Sequence, residues 1–409
     1  MTGIEALNVH CGYAYATVPE LFRGRGLDPG RVENLMMTRR SIGLPCEDPV
    51  TNAVNAALPI VAALSDEERA SIEVLVTSTE SGVDLSKSVA SYVHEYLGLS
   101  RNCRFFEVKQ ACYGATGAIQ LAAGYLASGI SPGAKALVIA TDVAVVDEHA
   151  EYSEPAAGHG AAAVLVGDEG TILEFDLGAF GNYSYETLDS ARPEPTFDIA
   201  DVDRSLFAYL DCFSNSVADY RSKVDGADFM TTFDHLVMHT PFAGLVKAGH
   251  RKLLREHGVR GPGEVAADFE RRVAPSLVYP SVVGNLCSGS VYLALASLID
   301  SAPLPEPVRV GLFSYGSGCS SEFFSGITGP AAKDKLATMG IGERLAKRVE
   351  IDFDQYLAAL AVNKQCLVPV PDRDIDPAGY APILDRVPDR KEQLLFTGVR
   401  EYHRQYAWG

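Results

Sequence analysis

No run of about 18 apolar residues, the length a helix needs to cross a bilayer, occurs in this 409-residue chain. Met1 to Tyr15 also lacks the basic segment followed by an apolar one that marks a secretory leader. A membrane-spanning or exported protein is therefore not expected. Cysteines are present but never as a CxxC pair. Positions 11, 46, 103, 112, 212, 287, 319 and 366 fit neither a zinc ribbon nor a disulfide framework. No metal site is expected, and a reducing cytoplasm is the expected compartment. Positive charge is in short supply: 35 Lys and Arg face 53 Asp and Glu, for a net charge of −18. Neither nucleic acid nor an anionic membrane is expected as the main partner of such a chain. Nucleotide fingerprints are missing too. The turn Tyr315-Gly-Ser-Gly318 is not followed by Gly-Lys-Ser/Thr, and no dinucleotide-binding loop is found. No permanently bound cofactor is implied.

What the chain does have is material for a large core, with 47% apolar and 22% charged residues. Apolar runs at Glu73–Thr79, Ala136–Ala144, Ala161–Gly167, His235–Met238 and Val308–Ser314 predict strands buried on both faces. Gly114–Ala127 and Ser290–Asp300 read as helices between them, so the class is α/β. One order of elements occurs twice: a strand, a polar residue at its end, then a helix opened by a small-residue turn. The first copy runs from Val76-Thr-Ser-Thr-Glu80 to Ala111-Cys-Tyr-Gly-Ala-Thr-Gly117. The second runs from Leu236-Val-Met-His-Thr240 to Gly284-Asn-Leu-Cys-Ser-Gly-Ser290. Unrelated α/β units also show this order. If it is a true duplication, the polar residues at equivalent ends must converge on one site.

Cys112 carries the most information. It sits at a tight turn just before a helix, where unpaired N–H groups and the helix dipole would lower a thiol's pKa and support an oxyanion. The competing reading is a buried structural cysteine, and the other seven cysteines are read that way. His239 closes a buried strand, where it is placed either as a catalytic imidazole or as a satisfied rim histidine. His235, at the other end of that run, is read as ordinary. Glu80 ends a strand as either a helix cap or a general acid/base raised in pKa by partial burial. Asn285 either donates to a substrate carbonyl or caps the following helix.

Together these segments carry a family resemblance. Glu47-Asp-Pro-Val50, Thr79-Glu-Ser81, Lys109-Gln-Ala-Cys-Tyr-Gly114, His239-Thr-Pro-Phe242, Gly284-Asn285 and Phe313-Ser-Tyr-Gly-Ser-Gly318 resemble 3-hydroxy-3-methylglutaryl-CoA (HMG-CoA) synthases over nearly the whole chain. The resemblance implies a thiolase fold, a duplicated five-layered αβαβα core with added helical C-terminal segments. It divides the chain into a half at residues 1–167 with Glu80 and Cys112, and a half at residues 168–409 with His239 and Asn285. It further implies that Cys112 is acetylated, Glu80 is the acid/base for C–C bond formation and His239 positions the acceptor. Asn285, Tyr113 and Tyr315 then bind substrate, and the Ser317 N–H helps form the oxyanion hole. A homodimer is implied as well.

One departure points within the family. Members that use CoA often carry a lysine five residues after the histidine, where this chain has Gly244. The Glu47-Asp-Pro-Val50 stretch and the tail Phe396–Tyr406 look closer to the branch in bacterial polyketide clusters. That branch works on acyl carrier proteins (ACPs), with acetyl-ACP as donor and β-ketoacyl-ACP as acceptor, both phosphopantetheine thioesters. The alternatives are a mevalonate-pathway HMG-CoA synthase, a non-catalytic thiolase-fold protein that binds carrier proteins, and a thiolase or ketoacyl synthase. Leu245–Glu256 is predicted helical, with Lys247, Arg251 and Arg255 on one face, flanked by His250 and Lys252, as a candidate ACP-docking stripe. Residues from about 331 to 409 are expected to be helical segments packed on the core.

Overall fold

The computed structural model describes residues 1–146, 148–387 and 390–409. Its centre is nine strands: β1 (Gly3–His10), β2 (Ile72–Ser78), β3 (Arg104–Val108), β4 (Lys135–Asp142), β5 (Gly160–Gly167), β6 (Leu173–Ser184), β7 (His235–Met238), β8 (Val308–Gly316) and β9 (Ser320–Thr328). The principal helices are α1 (Pro49–Ala62), α2 (Val89–Tyr96), α3 (Gly114–Ala127), α4 (Val202–Lys223), α5 (Ala243–Glu256) and α6 (Ser290–Ser301). The predicted strands and helices are all found, with ends shifted by no more than two residues.

The strand order is β7-β8-β9-β6-β1-β5-β4-β2-β3. It reads as one motif used twice. In β1-β5-β4-β2 the successive pairings are antiparallel, antiparallel and parallel. In β6-β9-β8-β7 they are the same. The two halves of the sheet meet at a short β1–β6 pairing, Gly3 with Glu174 and Ile4 with Leu173.

Helix α1 covers the outer face of the first half and α4 the outer face of the second. Helices α3 and α6 lie between the halves and touch through Thr116 Oγ1 and Tyr292 OH, 3.0 Å apart. These are the five layers of a thiolase fold. Burial follows the layers. Every residue of β1, β4 and β5 is buried, as is Ser290–Ile299 of α6. A fully buried Leu or Ile, such as Leu293, Leu295, Leu298 or Ile299, contributes about 1.5–3 kcal/mol. The sandwich also fixes where chemistry can occur, because both inner helices start beside the carboxyl end of β2. Ser78 Oγ lies 3.0 Å from Ser288 Oγ at the turn before α6, and a Cβ on Gly114 at the start of α3 would lie 2.5 Å from Ser78 Oγ.

The C-terminal region differs from expectation. Helices Pro330–Ala337, Ile341–Lys347 and Phe353–Asn363 are present, but the chain closes as a small antiparallel sheet of β10 (Arg373–Asp374), β11 (Leu394–Arg400) and β12 (His403–Trp408). Glu401 and Tyr402, both at positive φ (49° and 64°), form the two-residue turn joining β11 to β12. Paired positive φ angles match the right-handed twist of a hairpin. The hairpin is anchored to α1. Arg404 Nη1 and Tyr406 OH each donate at 2.8 Å to Asp48, the residue whose side chain caps α1. Among the described residues no helix is long and apolar enough to cross a membrane.

Candidate active site

The turn Gln110–Tyr113 precedes α3. Ala111 holds φ at +43°, an uncommon value for a residue with a side chain. This turn presents Cys112, half-buried, to the end of β2. There Cys112 Sγ donates to Glu80 Oε1 at 3.0 Å. A second thiol joins them. Cys287, at the turn before α6, has φ of +49°, and its Sγ, Cys112 Sγ and a Glu80 carboxylate oxygen all lie within 4.8 Å of one another. Cys287 is therefore not one more structural cysteine, as the sequence reading had it. Its position mirrors Cys112 in the duplicated motif, and that was the available signal.

The thiol is not pre-ionised, contrary to expectation. A hydrogen bond from Cys287 lowers the Cys112 pKa, but burial and the Glu80 and Asp142 carboxylates outweigh it and push the thiol up to about 12. The nearby N–H groups do not compensate. Tyr113 N donates to Gln110 O and Gly114 N to Ala111 O, closing the turn on itself. The same surroundings, led by the Cys112 hydrogen bond, raise the Cys287 pKa well above the ordinary thiol value.

Glu80 is held by groups the sequence reading passed over. Asp142, at the end of β4, accepts from Glu80 N at 2.8 Å, Thr79 Oγ1 at 3.1 Å and Ser81 Oγ at 3.0 Å. Burial, and then the Glu80 charge, raise the Asp142 pKa to about 8. Arg192, from the hairpin after β6, donates to Glu80 O at 3.3 Å and pairs with Asp198 at 2.6 Å. Asp142 ends its strand as Glu80 does, so the same rule would have found it. Arg192 carries no local signal, since it reaches the site only through tertiary packing.

The second half arrives at the site along β8. Gly316 touches the nucleophile turn so closely that a Cβ there would lie 2.5 Å from Tyr113 N and 2.6 Å from Gln110 O. Only glycine permits that approach. Beside it, Gln110 Nε2 donates to Ser317 O at 3.3 Å. Tyr113 is tied to Glu322 at 2.7 Å and Tyr315 to Asp189 at 2.6 Å. Gly318 N donates to the other Asp189 oxygen at 2.9 Å, which stiffens the loop.

His239 lies at the end of β7, next to β8, where its N donates to Phe313 O at 2.7 Å. Its ring is buried near Tyr209 and Tyr315, with centroids 6.4 and 6.3 Å away. Nδ1 has no hydrogen-bond partner among the described residues. Burial lowers its pKa to about 3, so the imidazole is neutral at working pH. No hydrogen bond joins the His239 ring to Cys112 or Glu80 among the described residues. Asn285 serves as a cap. Its Oδ1 accepts from Cys287 N at 3.0 Å and Ser290 Oγ at 2.7 Å, and its amide nitrogen makes no hydrogen bond among the described residues.

Lys247, Arg251 and Arg255 are exposed together on one face of α5. His250 does not flank that face. It is buried, 2.7 Å from Asp268, and Lys252 is tied to Glu256 at 2.5 Å. Gly244 explains one departure: a Cβ there would lie 1.9 Å from Asn34 O, so no side chain fits at the start of α5.

Comparison with known proteins agrees with this geometry. Models for the N-terminal and C-terminal parts of hydroxymethylglutaryl-coenzyme A synthase match residues 2–171 and 263–370. The polyketide biosynthesis 3-hydroxy-3-methylglutaryl-ACP synthase PksG of Bacillus subtilis is 44% identical over 99% of both chains. The hydroxymethylglutaryl-CoA synthase of Enterococcus faecalis is 33% identical over 88% of this chain and 91% of its own. The curacin biosynthetic pathway HMG synthase, in complex with acetyl donor-ACP, superposes with a TM-score of 0.97 and 42% identity over 100% of both chains. This chain, a condensing acyltransferase of thiolase fold, belongs to the hydroxymethylglutaryl-CoA synthase family.

Proposed function

We propose that the chain is an ACP-dependent HMG synthase of polyketide biosynthesis. It adds an acetyl-derived carbanion to the β-ketone of a β-ketoacyl-ACP and so installs an HMG-type β-branch. The observation that carries the chemistry is the hydrogen bond from Cys112 Sγ to Glu80 Oε1. Attack of Cys112 on acetyl-ACP passes the thiol proton to Glu80, which returns it to the departing carrier thiolate, leaving acetyl-Cys112, a free carrier thiol and an ionised Glu80. Glu80 then removes a proton from the acetyl α-carbon, and the enolate attacks the acceptor ketone. Backbone donors, among them the Ser317 N–H, hold the thioester oxyanion. Neutral His239 donates a hydrogen bond to the ketone oxygen, and the proton taken up by Glu80 is delivered to that oxygen as it becomes the tertiary alcohol. Asn285, Tyr113 and Tyr315 hold the acyl chains, and hydrolysis frees the product from Cys112. No permanently bound cofactor enters this scheme.

The carrier-protein preference is supported by the higher identity to PksG than to the Enterococcus enzyme, 44% against 33%. It is also supported by the absence of any side chain at Gly244 and by the exposed Lys247, Arg251 and Arg255, which suit an acidic carrier helix. In this reading residues 1–167 carry Glu80 and Cys112 and residues 168–409 carry His239 and Asn285, so packing the two halves completes the site. A homodimer formed through β3 fits the same picture. That strand is the sheet edge and leaves Phe105 and Phe106 43% and 46% exposed beside a cavity of about 860 Å³ that reaches Glu80. We place the reaction in the cytoplasm, in keeping with eight free thiols.

Incubation with acetyl-ACP or acetyl-CoA, read by intact mass, tests the reading. Faster acetylation from acetyl-ACP, followed by product formation on β-ketoacyl-ACP, is expected. Preferential loading from acetyl-CoA with turnover of acetoacetyl-CoA would instead make this a mevalonate-pathway enzyme.

A further inference from the structure

Cys287 has no role in the scheme above, yet it is one of three converging ligand groups. We propose that Cys112, Cys287 and Glu80 form a binding site for a thiophilic divalent cation of the zinc class, whose occupancy blocks acetylation of Cys112. Two thiols and a carboxylate with donor atoms within 4.8 Å of one another match the spacing of ligands around a tetrahedral ion. Zn–S bonds of about 2.3 Å and Zn–O bonds of about 2.0–2.2 Å place such ligands roughly 3.5–4 Å apart. The Cys112 to Glu80 separation of 3.0 Å already approaches that range. A fourth position is left for water, as in open zinc sites.

The electrostatics run the same way. Three groups that would each be anionic when ionised share a half-buried space, with Asp142 behind them. Arg192 faces the cluster with its positive charge, and it is already shared between Asp198 and the Glu80 backbone. The Cys112 hydrogen bond and burial at Cys287, and burial with the neighbouring carboxylates at Cys112, favour the protonated thiols, and a dication supplies the charge that lets them ionise. Binding converts two thiols and one carboxylate into metal ligands and releases two protons to solvent. An acetylated Cys112 has no thiolate to give, so acetyl and metal exclude one another.

The test uses the full chain, reduced with a non-chelating phosphine, and Co²⁺ as a spectroscopic probe for Zn²⁺. One Co²⁺ per chain with a thiolate-to-cobalt absorption band is expected, with release of about two protons in weakly buffered solution. Zn²⁺ should displace it and bleach the band. Cys287→Ser and Glu80→Gln, each checked for folding by circular dichroism, should each weaken Zn²⁺ by more than about tenfold, the lower end for loss of even an outer-shell partner. Chemically acetylated wild type should give no band. Absence of the band in reduced wild type overturns the proposal. So does a band that survives in Cys112→Ala/Cys287→Ala, which would assign the metal elsewhere, for example to Cys212 and Cys319, 3.5 Å apart. Because the readout is metal binding and not turnover, the result does not depend on whether the chain prefers ACP or CoA.

Discussion

Cys112 Sγ donates to Glu80 Oε1 at 3.0 Å, so the proposed nucleophile and the proposed base form one hydrogen-bonded pair. A neutral thiol beside a carboxylate is a poor nucleophile until its proton moves, and the carboxylate is the nearest acceptor. This pairing couples loading to the protonation of Glu80, which a thiolate at a helix N-terminus would not do.

The nucleophile assignment predicts that Cys112→Ser loses acetyl loading. A hydroxyl of much higher pKa has no comparable anion in reach. Intact mass after incubation with acetyl-ACP measures it. An acetyl group still mapped to position 112 at the wild-type rate would refute the role.

Glu80→Gln separates two effects of one residue. The amide cannot take the thiol proton, so acetylation should slow, while condensation, which also needs the base at the acetyl α-carbon, falls further, by about 10² or more, the usual worth of a positioned base. The same variant removes a negative charge that raises the Cys112 pKa. Its alkylation by iodoacetamide should therefore shift to lower pH. An upward shift would mean that the carboxylate supports the thiolate, against the geometry described.

His239 gives a stability prediction with a definite sign. Its pKa is lowered from 6.5 to about 3 by burial, so below about 6.5 the unfolded chain binds a proton that the folded chain refuses. Stability from this group is intact above pH 6.5 and is lost toward pH 3 at about 1.4 kcal/mol per pH unit. His239→Gln should flatten that fall in denaturant melts between pH 6.5 and 4.5, while condensation drops and acetylation persists. Parallel pH curves for variant and wild type would place the imidazole's titration elsewhere.

Much of this site was legible because strand ends and helix starts leave signatures. Glu80, Cys112, His239 and Asn285 sit where a continuous apolar run stops or a small-residue turn begins. The Glu47-Asp-Pro-Val50 stretch proved to be architecture: Asp48 caps α1, Pro49 starts it, and Glu47 is buried 3.4 Å from His10. What escaped the sequence depends on distance in space. Arg192 comes from a hairpin in the other half, and its effect on Glu80 exists only after folding. The thiol's raised pKa escaped for the same reason, since Asp142 and Cys287 are 30 and 175 residues away along the chain. The C-terminal hairpin was missed because Glu401-Tyr402 is not a glycine or asparagine turn.

Gly244 predicts a packing constraint. With its missing Cβ 1.9 Å from Asn34 O, Gly244→Ala should destabilise the chain by about 1–3 kcal/mol, as overpacking does. Gly244→Lys should do worse. A lysine variant with an unchanged melting temperature would show that α5 moves easily, and would remove the steric reason for this departure from the CoA-using members.

The last prediction concerns the partner. Lys247, Arg251 and Arg255 form an exposed basic face on a chain of net charge −18, on the helix that follows His239. Lys247 Nζ also lies 5.3 Å from the Phe269 ring, and Arg251 has no acidic partner within salt-bridge distance among the described residues. An acidic carrier-protein helix docking there would bring the phosphopantetheine arm toward Cys112 with an association rate that falls as salt rises. Reversing Lys247 and Arg251 to Glu should slow loading from acetyl-ACP at least about tenfold at low salt and reduce its salt dependence. Loading from a small acetyl-pantetheine thioester, which needs no docking surface, should stay near the wild-type rate. Equal loss with both donors would mean that α5 supports the active site and that the carrier docks elsewhere. An unchanged rate with acetyl-ACP would remove the face from the interaction altogether.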